Sequence, residues 1–258
     1  MARALLQKLE ERLQKPIPVV SQLIYGKVGA TLRNGDVIGL SLSGLGLTSL
    51  PQELGDWFPT LESLYLYHNN FTTLDPSIRG LTKLRTLYLA YNRLIELPSW
   101  LGELHSLKVL FLQNNNLTTL PPEVGSLAQL KELRLYNNSL VTIPSSIGNL
   151  HNLEVFWLNK NRLREVPEQL GSLRNLRELY LNNNNISALP DTVGNLTNLQ
   201  LCHISQNNLT TLPHSFVGCK ALGKLDVRRN PLGDVEDLVV ELAKNSCRVK
   251  YDPPKKDS

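Results

Sequence analysis

Seven side chains that could bind a partner recur every 23 residues along this chain of 258 residues. They are Tyr65, Tyr88, Phe111, Arg134, Trp157, Tyr180 and His203. Tyr, Trp and Arg often anchor protein interfaces, because each combines a large contact area with a polar group. If the fold brings residues 23 positions apart onto one surface, this spacing predicts an exposed row of interface anchors.

Further aromatic side chains follow members of this row by two or three positions. They are Tyr67, Tyr91 and Tyr136. Aromatic residues also suit the surface of a β-sheet and pack against each other across strands, so a purely structural role is an alternative. An exposed apolar surface with charged residues around it is, however, typical of an interaction site. We therefore expect these residues to bind a protein or a peptide.

Catalytic chemistry is not indicated by the remaining reactive residues. The five histidines are scattered, without the H-E-x-x-H or C-x-x-C spacing of zinc sites. The glycines form no G-x-x-x-x-G-K phosphate-binding loop. Cys202 and Cys219 stand where neighbouring segments have leucine, so we expect buried thiols rather than nucleophiles. The sequence predicts a protein that is not an enzyme, with no metal site and no cofactor.

A repeated unit must position the candidate binding residues. The pattern L-x-x-L-x-L-x-x-N-x-L-x-x-L-P begins at Leu61 and returns every 23 residues up to Leu222, and a first copy begins at Val37. Its alternation sends two side chains inward and one outward, as a short strand requires. One unit cannot bury its leucines alone, so the units must stack on each other. Stacking would place the row on successive strands.

Asparagine occupies the ninth position of every unit except the first. These residues are Asn69, Asn92, Asn115, Asn138, Asn161, Asn184, Asn207 and Asn230. Where the chain turns away from a strand, an amide can pair with backbone groups of its own unit and of the adjacent unit. We expect this asparagine ladder to be structural.

These motifs resemble the leucine-rich repeat family. Segments of the form L-P-x-x-(L/I/V)-G-x-L, such as the one that begins at Leu97, are similar to the intracellular 23-residue subclass of Ras-suppressor, Erbin-type and plant Ras-group-related repeat proteins. The resemblance implies an α/β fold: a right-handed solenoid, or horseshoe, with a parallel concave β-sheet, short helical or 3-10 turns on the convex side, and helical caps. One solenoid serves many functions, so the resemblance predicts fold better than function.

The expected organisation has three parts. Residues 1–36 form an N-terminal capping helix and hairpin, because residues 4–15 have one apolar helical face and Asn34-Gly35-Asp36 is typical of a tight turn. Residues 37–244 form nine repeats, the last merging into a cap helix, and residues 245–258 form a cap strand and a tail. In the second unit Pro76 and Gly80 are displaced by one position, which predicts a local distortion near residues 75–80.

Charge and hydropathy narrow the class of partner. The net charge of +4 is mild, and the basic residues at the start of the strands alternate with acidic ones, so we expect no nucleic-acid partner. No apolar run approaches the roughly 18 residues of a membrane span. A non-catalytic scaffold that binds a protein or peptide on the concave aromatic face is the main functional hypothesis. Homodimerisation through the same face is also open.

Two alternative functions remain open, and the sequence also bears on the cellular location of the protein. One alternative, implied by the subclass, is a regulatory subunit of a small-GTPase or phosphatase signalling complex. The other is an extracellular or effector-type recognition protein, which six N-x-S/T sequons would suit. Four of those sequons follow from the repeat itself, and charges interrupt the first ten residues before an apolar segment can form a signal peptide. We predict a cytoplasmic protein.

Overall fold

The computed structural model describes residues 2–252, and the predicted tail at residues 253–258 lies outside the described residues. Helix α1 spans Ala2–Leu13, and the strands β1 (Gly29–Arg33) and β2 (Asp36–Ser41) form an antiparallel hairpin. Asn34 and Gly35 have φ angles of 54° and 85°, as a tight hairpin turn needs. The predicted helix and hairpin are therefore present, although the helix starts and ends two residues earlier than expected.

Nine more strands continue the same sheet in chain order. They are β3 (Ser63–Tyr65), β4 (Thr86–Tyr88), β5 (Val109–Phe111), β6 (Glu132–Arg134), β7 (Val155–Trp157), β8 (Glu178–Tyr180), β9 (Leu201–His203), β10 (Lys224–Asp226) and β11 (Arg248–Lys250). From β2 onward every pair is parallel, and equivalent positions of neighbouring units face each other. The predicted parallel sheet is confirmed, and its register aligns the row of candidate anchors.

The core lies behind this sheet and runs its whole length. Inward residues of consecutive strands, such as Leu64, Leu87 and Leu110, are completely buried. Burying a leucine side chain contributes about 1.5–3 kcal/mol relative to leaving it in water. Each of these leucines packs between two neighbouring units, so the stack stabilises what no single unit could.

The convex side consists of one short turn of helix per unit. The first unit has the one-turn helix α2 (Leu54–Trp57), the next seven have 3-10 turns that end before the next strand, and the ninth has a longer helix instead. A Cβ atom placed at Gly148 would lie 2.7 Å from the carbonyl oxygen of Gln169 in the next turn, so only glycine fits there. The turn at Pro76–Ile78 is shortened to three residues and leaves open space around Gly80, which confirms the predicted distortion.

The asparagine ladder joins each unit to its neighbour. Asn115 Nδ2 donates to the carbonyl oxygens of Leu89 (2.9 Å) and Leu112 (2.9 Å), and its Oδ1 accepts from the amide of Leu94 (3.0 Å). The same two donations and one acceptance recur at all eight ladder positions. Backbone groups at every turn are thereby paired in a place that water does not reach.

Helix α3 (Glu236–Lys244) packs under the last turn and leads to β11. Its residues Leu238 and Leu242 are buried, as the helical spacing predicted. Within residues 2–252, no helix has both the length and the apolarity needed to cross a bilayer.

Candidate partner-binding site on the concave face

The row of candidate anchors forms a continuous stack across the concave face. The ring centroids of Tyr65 and Tyr88 lie 4.3 Å apart, and those of Tyr88 and Phe111 lie 4.4 Å apart with the rings nearly parallel. The guanidinium carbon of Arg134 lies 4.3 Å from the Phe111 centroid and 4.1 Å from that of Trp157. A cation between two ring faces is favourable on both sides, so Arg134 links the two aromatic parts of the stack.

The stack continues beyond Trp157 to the end of the row. Trp157 meets Tyr180 edge-on with centroids 5.0 Å apart, and Tyr180 stacks on His203 at 5.0 Å. Carboxylates hold two members in place: Glu132, on the same strand, accepts from Arg134 Nε (2.6 Å), and Glu178, on the next strand, accepts from Trp157 Nε1 (3.2 Å). The concave anchors are therefore fixed by each other and by the sheet.

Stacking changes what the row can offer to a partner. Phe111 is only 8 % exposed, because Tyr88 covers one ring face and Arg134 covers the other. The expectation that Phe111 is an exposed anchor is wrong. Where faces are covered, a partner meets ring edges and phenol hydroxyls, which are the polar parts of these side chains.

A second aromatic group stands beside the stack. The rings of Tyr67 and Tyr91 pack edge to face with their centroids 5.1 Å apart, and Tyr91 is 44 % exposed. Tyr136 lies further along, with its ring centroid 6.1 Å from that of Trp157. The three tyrosines predicted from the sequence thus flank the first part of the row on one side.

Tyr25 completes this group and was not predicted. Its ring lies 4.3 Å from that of Tyr67 and 5.8 Å from that of Tyr88. The segment before β1 crosses the concave side of the first strands, where Ser41 Oγ donates to the carbonyl oxygen of Lys27 (2.5 Å) and is itself buried. The only sequence signal was the apolar run Leu23-Ile24-Tyr25, which has no place in the repeat.

Together these side chains enclose a depression of about 480 Å³. Its lining comprises Leu23, Tyr25, Tyr65, Tyr67, Tyr88, Tyr91, Phe111, Gln113, Arg134 and Tyr136. At its floor Gln113 is 3 % exposed, and its Oε1 has no hydrogen-bond partner among the described residues. The depression therefore combines an aromatic wall with a few polar groups, as binding pockets do.

Four phenols of the concave face, those of Tyr25, Tyr88, Tyr136 and Tyr180, are neutral at physiological pH. Burial, reinforced by the charge of Tyr65, raises the pKa of Tyr88 to about 12. Burial also raises the pKa of Tyr25, Tyr136 and Tyr180. Each hydroxyl can therefore both donate and accept a hydrogen bond.

At the far end of the row the chemistry changes. Burial, and then the charge of Lys224, lowers the pKa of His203, so its imidazole is neutral at pH 7. Asp226, the next residue in the row, is 2 % exposed and accepts two hydrogen bonds from the guanidinium of Arg228 at 2.7 and 3.0 Å. This end is therefore a closed ion pair rather than an open pocket.

The reactive side chains lie away from this site. Cys202 and Cys219 are buried, as the sequence predicted, and burial raises the pKa of both thiols. Among residues 2–252, no group of three or more His, Cys, Asp or Glu side chains is arranged to hold a metal ion. The arrangement of the concave face favours recognition through contact area and hydrogen bonds.

Comparison with solved structures finds plant receptors. The chain is similar to the leucine-rich repeat ectodomain of the membrane receptor kinase GASSHO1/SCHENGEN3 from Arabidopsis thaliana, solved with CASPARIAN STRIP INTEGRITY FACTOR 2: 31% identity and a TM-score of 0.68 over 79% of this chain and 29% of that one. It is equally similar to the plant peptide hormone receptor RGFR1 in complex with RGF2, with 31% identity and a TM-score of 0.67 over 75% of this chain and 32% of that one. This chain thus spans less than a third of the length of either receptor structure.

A more distant structure and the family models agree on the fold. The PEPR1–AtPEP1 structure has 24% identity and a TM-score of 0.73 over 97% of this chain and 41% of that one. No curated protein matches the chain. A leucine-rich repeat region model matches residues 77–182, and a leucine rich repeat model matches residues 39–94 and 174–232. With the parallel sheet, the 3-10 turns and these matches, the chain belongs to the leucine-rich repeat family.

Proposed function

We propose that this chain is a non-catalytic binding module that holds a protein or peptide segment on its concave face. The observation that carries the proposal is the depression of about 480 Å³ between Tyr25 and Arg134. Aromatic side chains, an arginine and a buried amide line it, and the Oε1 atom of that amide, Gln113, has no hydrogen-bond partner among the described residues. A partner that supplies polar groups to the phenols and apolar area to the ring edges would suit this lining.

Preorganisation is the mechanism by which such a site gains affinity. Tyr65, Tyr88 and Arg134 are already held by stacking and by an ion pair to Glu132. Ordering a flexible side chain on binding costs about 0.5–1.5 kcal/mol, and here most of that ordering precedes the encounter. Binding at this face therefore has a smaller cost in side-chain entropy than binding at a face of mobile side chains.

The related structures support a protein or peptide as the partner. GASSHO1/SCHENGEN3 was solved with CASPARIAN STRIP INTEGRITY FACTOR 2, and RGFR1 was solved with RGF2. Glu62, Glu132, Glu154 and Glu178 alternate with the basic residues at the start of the strands, so that edge has no continuous cationic surface for a nucleic acid. The cytoplasmic location stays a prediction, and so does the regulatory role in a GTPase or phosphatase complex.

The test uses substitutions that the repeat itself tolerates. Asn183 occupies the unit position of Tyr91, and Asn159 occupies that of Tyr136, so a Tyr91→Asn/Tyr136→Asn variant keeps residues natural to each position. Wild type and variant are used to capture proteins from an extract of the source cells. A Val19→Asn/Val240→Asn variant removes apolar surface of similar exposure elsewhere and is the control.

We expect a partner that wild type and control retain and that the tyrosine variant loses. Identical sets of captured proteins from all three would contradict the proposal. Sedimentation of the isolated proteins adds one distinction: self-association that only the tyrosine variant lacks would identify a second copy of this chain as the partner.

A further inference from the structure

One edge of the solenoid contains no acidic residue. We define the turn edge as positions seven to twelve of each of the eight units that begin at Leu61, where the chain leaves a strand and turns toward the convex side. In chain order these are residues 67–72, 90–95, 113–118, 136–141, 159–164, 182–187, 205–210 and 228–233. Neither Asp nor Glu occurs in any of them, although the chain has 23 such residues. The absence persists across every unit, and carboxylates from outside the turn edge contact it at its C-terminal end, where Asp226 pairs with Arg228 and Asp252 accepts from the amide of Arg229.

Exposed cations stand on this edge without a counter-charge. Arg93, Lys160, Arg162 and Arg164 are exposed, and none forms an ion pair with another described residue. Surface cations without a counter-charge raise the local concentration of negatively charged groups and guide them to the surface. The turn edge therefore attracts acidic groups.

The opposite edge, where the strands begin, differs because it has carboxylates that pair with several of its cations. Arg33 contacts Glu62 at 2.8 Å, and Glu154 is shared between Lys131 (3.0 Å) and Arg177 (3.7 Å). Such pairs reduce the field that a partner would meet. The turn edge is thus the edge whose cations have no carboxylate beside them in the same unit segments, and it suits a partner of negative charge.

Exposed apolar side chains lie among the unpaired cations. Tyr91, Ile95 and Val141 are 44%, 54% and 39% exposed, and all three belong to the turn edge. Tyr91 also lines the concave depression, so the two surfaces meet at its ring. An apolar strip with a charged rim of one sign is typical of a protein-binding surface.

The backbone has the same conformation at the eighth position of every unit, which includes Tyr91 and Lys160 of the turn edge. The eighth position of each unit is left-handed: φ is 57° at Asn114 and Asn183, where asparagine tolerates it best. Tyr91 and Lys160 adopt the same conformation, each with φ of 56°, although a bulky residue there is strained. His68, Gln206 and Arg229 have nearly the same φ, so the repeat imposes this conformation on whichever residue stands at the eighth position.

We infer that an acidic polypeptide segment binds along the turn edge, with an apolar side chain beside Tyr91 and carboxylates at Arg93 and Arg162. This inference rests on the proposed function and names the chemistry of the partner. Arg93 and Arg162 stand three units apart, which is about 14 Å at a strand separation of about 4.8 Å. An extended chain covers that distance in about four residues. The partner therefore carries acidic residues spaced by about four positions.

The test selects displayed random peptides of about twelve residues on the wild-type protein. Each enriched peptide is then synthesised, and its affinity is measured by fluorescence anisotropy. A turn-edge variant, Arg93→Gln/Lys160→Gln/Arg162→Gln, removes three of the cations, and glutamine already occupies the position of Lys160 in another unit as Gln206. The control variant, Lys83→Gln/Arg174→Gln/Lys220→Gln, changes the net charge equally at exposed residues outside the turn edge.

We expect the enriched peptides to have an excess of Asp and Glu and to bind the turn-edge variant at least about fivefold more weakly, with the control variant unchanged. Replacing their acidic residues with amides should cause the same loss, and salt should weaken the wild-type complex. Enrichment of neutral or basic peptides, or an equal loss in both variants, would overturn the inference and leave the proposed function standing. Selection of no peptide at all would contradict the proposed function as well.

One further outcome concerns a different class of partner. The phosphates of a single-stranded oligonucleotide would also be attracted to these cations. If it bound the wild type more tightly than every enriched peptide and lost that affinity in the turn-edge variant, the edge would belong to nucleic-acid recognition and the inference would be overturned.

Discussion

Replacing Asn115 with alanine tests the asparagine ladder on which the concave face depends. The substitution removes two donated hydrogen bonds of 2.9 Å and one accepted bond of 3.0 Å at a residue that is 7 % exposed. The carbonyl oxygens of Leu89 and Leu112 each keep a second amide donor, from Asn92 and Asn138 respectively. The buried amide of Leu94 keeps none among the described residues.

The expected cost follows from this difference. A buried N–H left without a partner costs about 1–3 kcal/mol, and the two lost bonds to carbonyls that remain paired cost about 0.5–1 kcal/mol each. We therefore expect Asn115→Ala to lower the free energy of unfolding by about 2–5 kcal/mol. Equilibrium denaturation in urea, followed by far-ultraviolet circular dichroism, measures that free energy.

The neighbouring asparagine provides the matched control. Asn116 is exposed, and its side chain makes no hydrogen bond to another described residue, so Asn116→Ala should change stability by less than about 0.5 kcal/mol. Equal effects of the two substitutions would refute the reasoning. Asn115→Asp provides a second check, because its carboxylate would face the carbonyls of Leu89 and Leu112 in place of a donor. It should be more destabilising than alanine at pH 7.

Three shorter predictions concern other parts of the molecule. Gly148→Ala should lower the free energy of unfolding by more than about 1 kcal/mol because its Cβ would lie 2.7 Å from a carbonyl oxygen, whereas Gly80→Ala, with open space around it, should be tolerated. The pKa of Tyr88 is raised to about 12, so between pH 10 and 12 the unfolded chain loses the phenol proton while the folded chain keeps it. The free energy of unfolding should therefore fall with rising pH in that range. Urea titrations at each pH should show a smaller fall in Tyr88→Phe. Cys202 is completely buried, so a thiol reagent should modify it only after denaturation, and modification of the native protein by mass spectrometry would contradict its placement.

The fold could be read almost entirely from the repeat. Inward leucines and turn asparagines impose their requirements within each unit, so their spacing of 23 residues predicted the strands, their register and the ladder. The shortened turn at Pro76 was visible for the same reason. What lay outside the repeat was predicted less well, since the ends of α1 depend on packing against the first unit rather than on a periodic pattern.

The site was only partly predictable. Spacing placed Tyr65, Tyr88 and Arg134 on one face, but it could not show that Phe111 is covered by its neighbours, since rotamers decide that. Tyr25 belongs to no unit, and its approach to Tyr88 depends on how the segment before β1 crosses the sheet. Positions outside a periodic pattern need the tertiary structure.

The glycines of the convex turns determine the shape of the whole arc. At Gly102 and Gly148 neighbouring turns touch so closely that a methyl group would separate them. In a stack, a separation on the outer side alone tilts each unit relative to the next, and the tilt accumulates along the chain. The row of small residues therefore keeps the arc open, and an open arc is matched by a long, thin partner rather than by a round one.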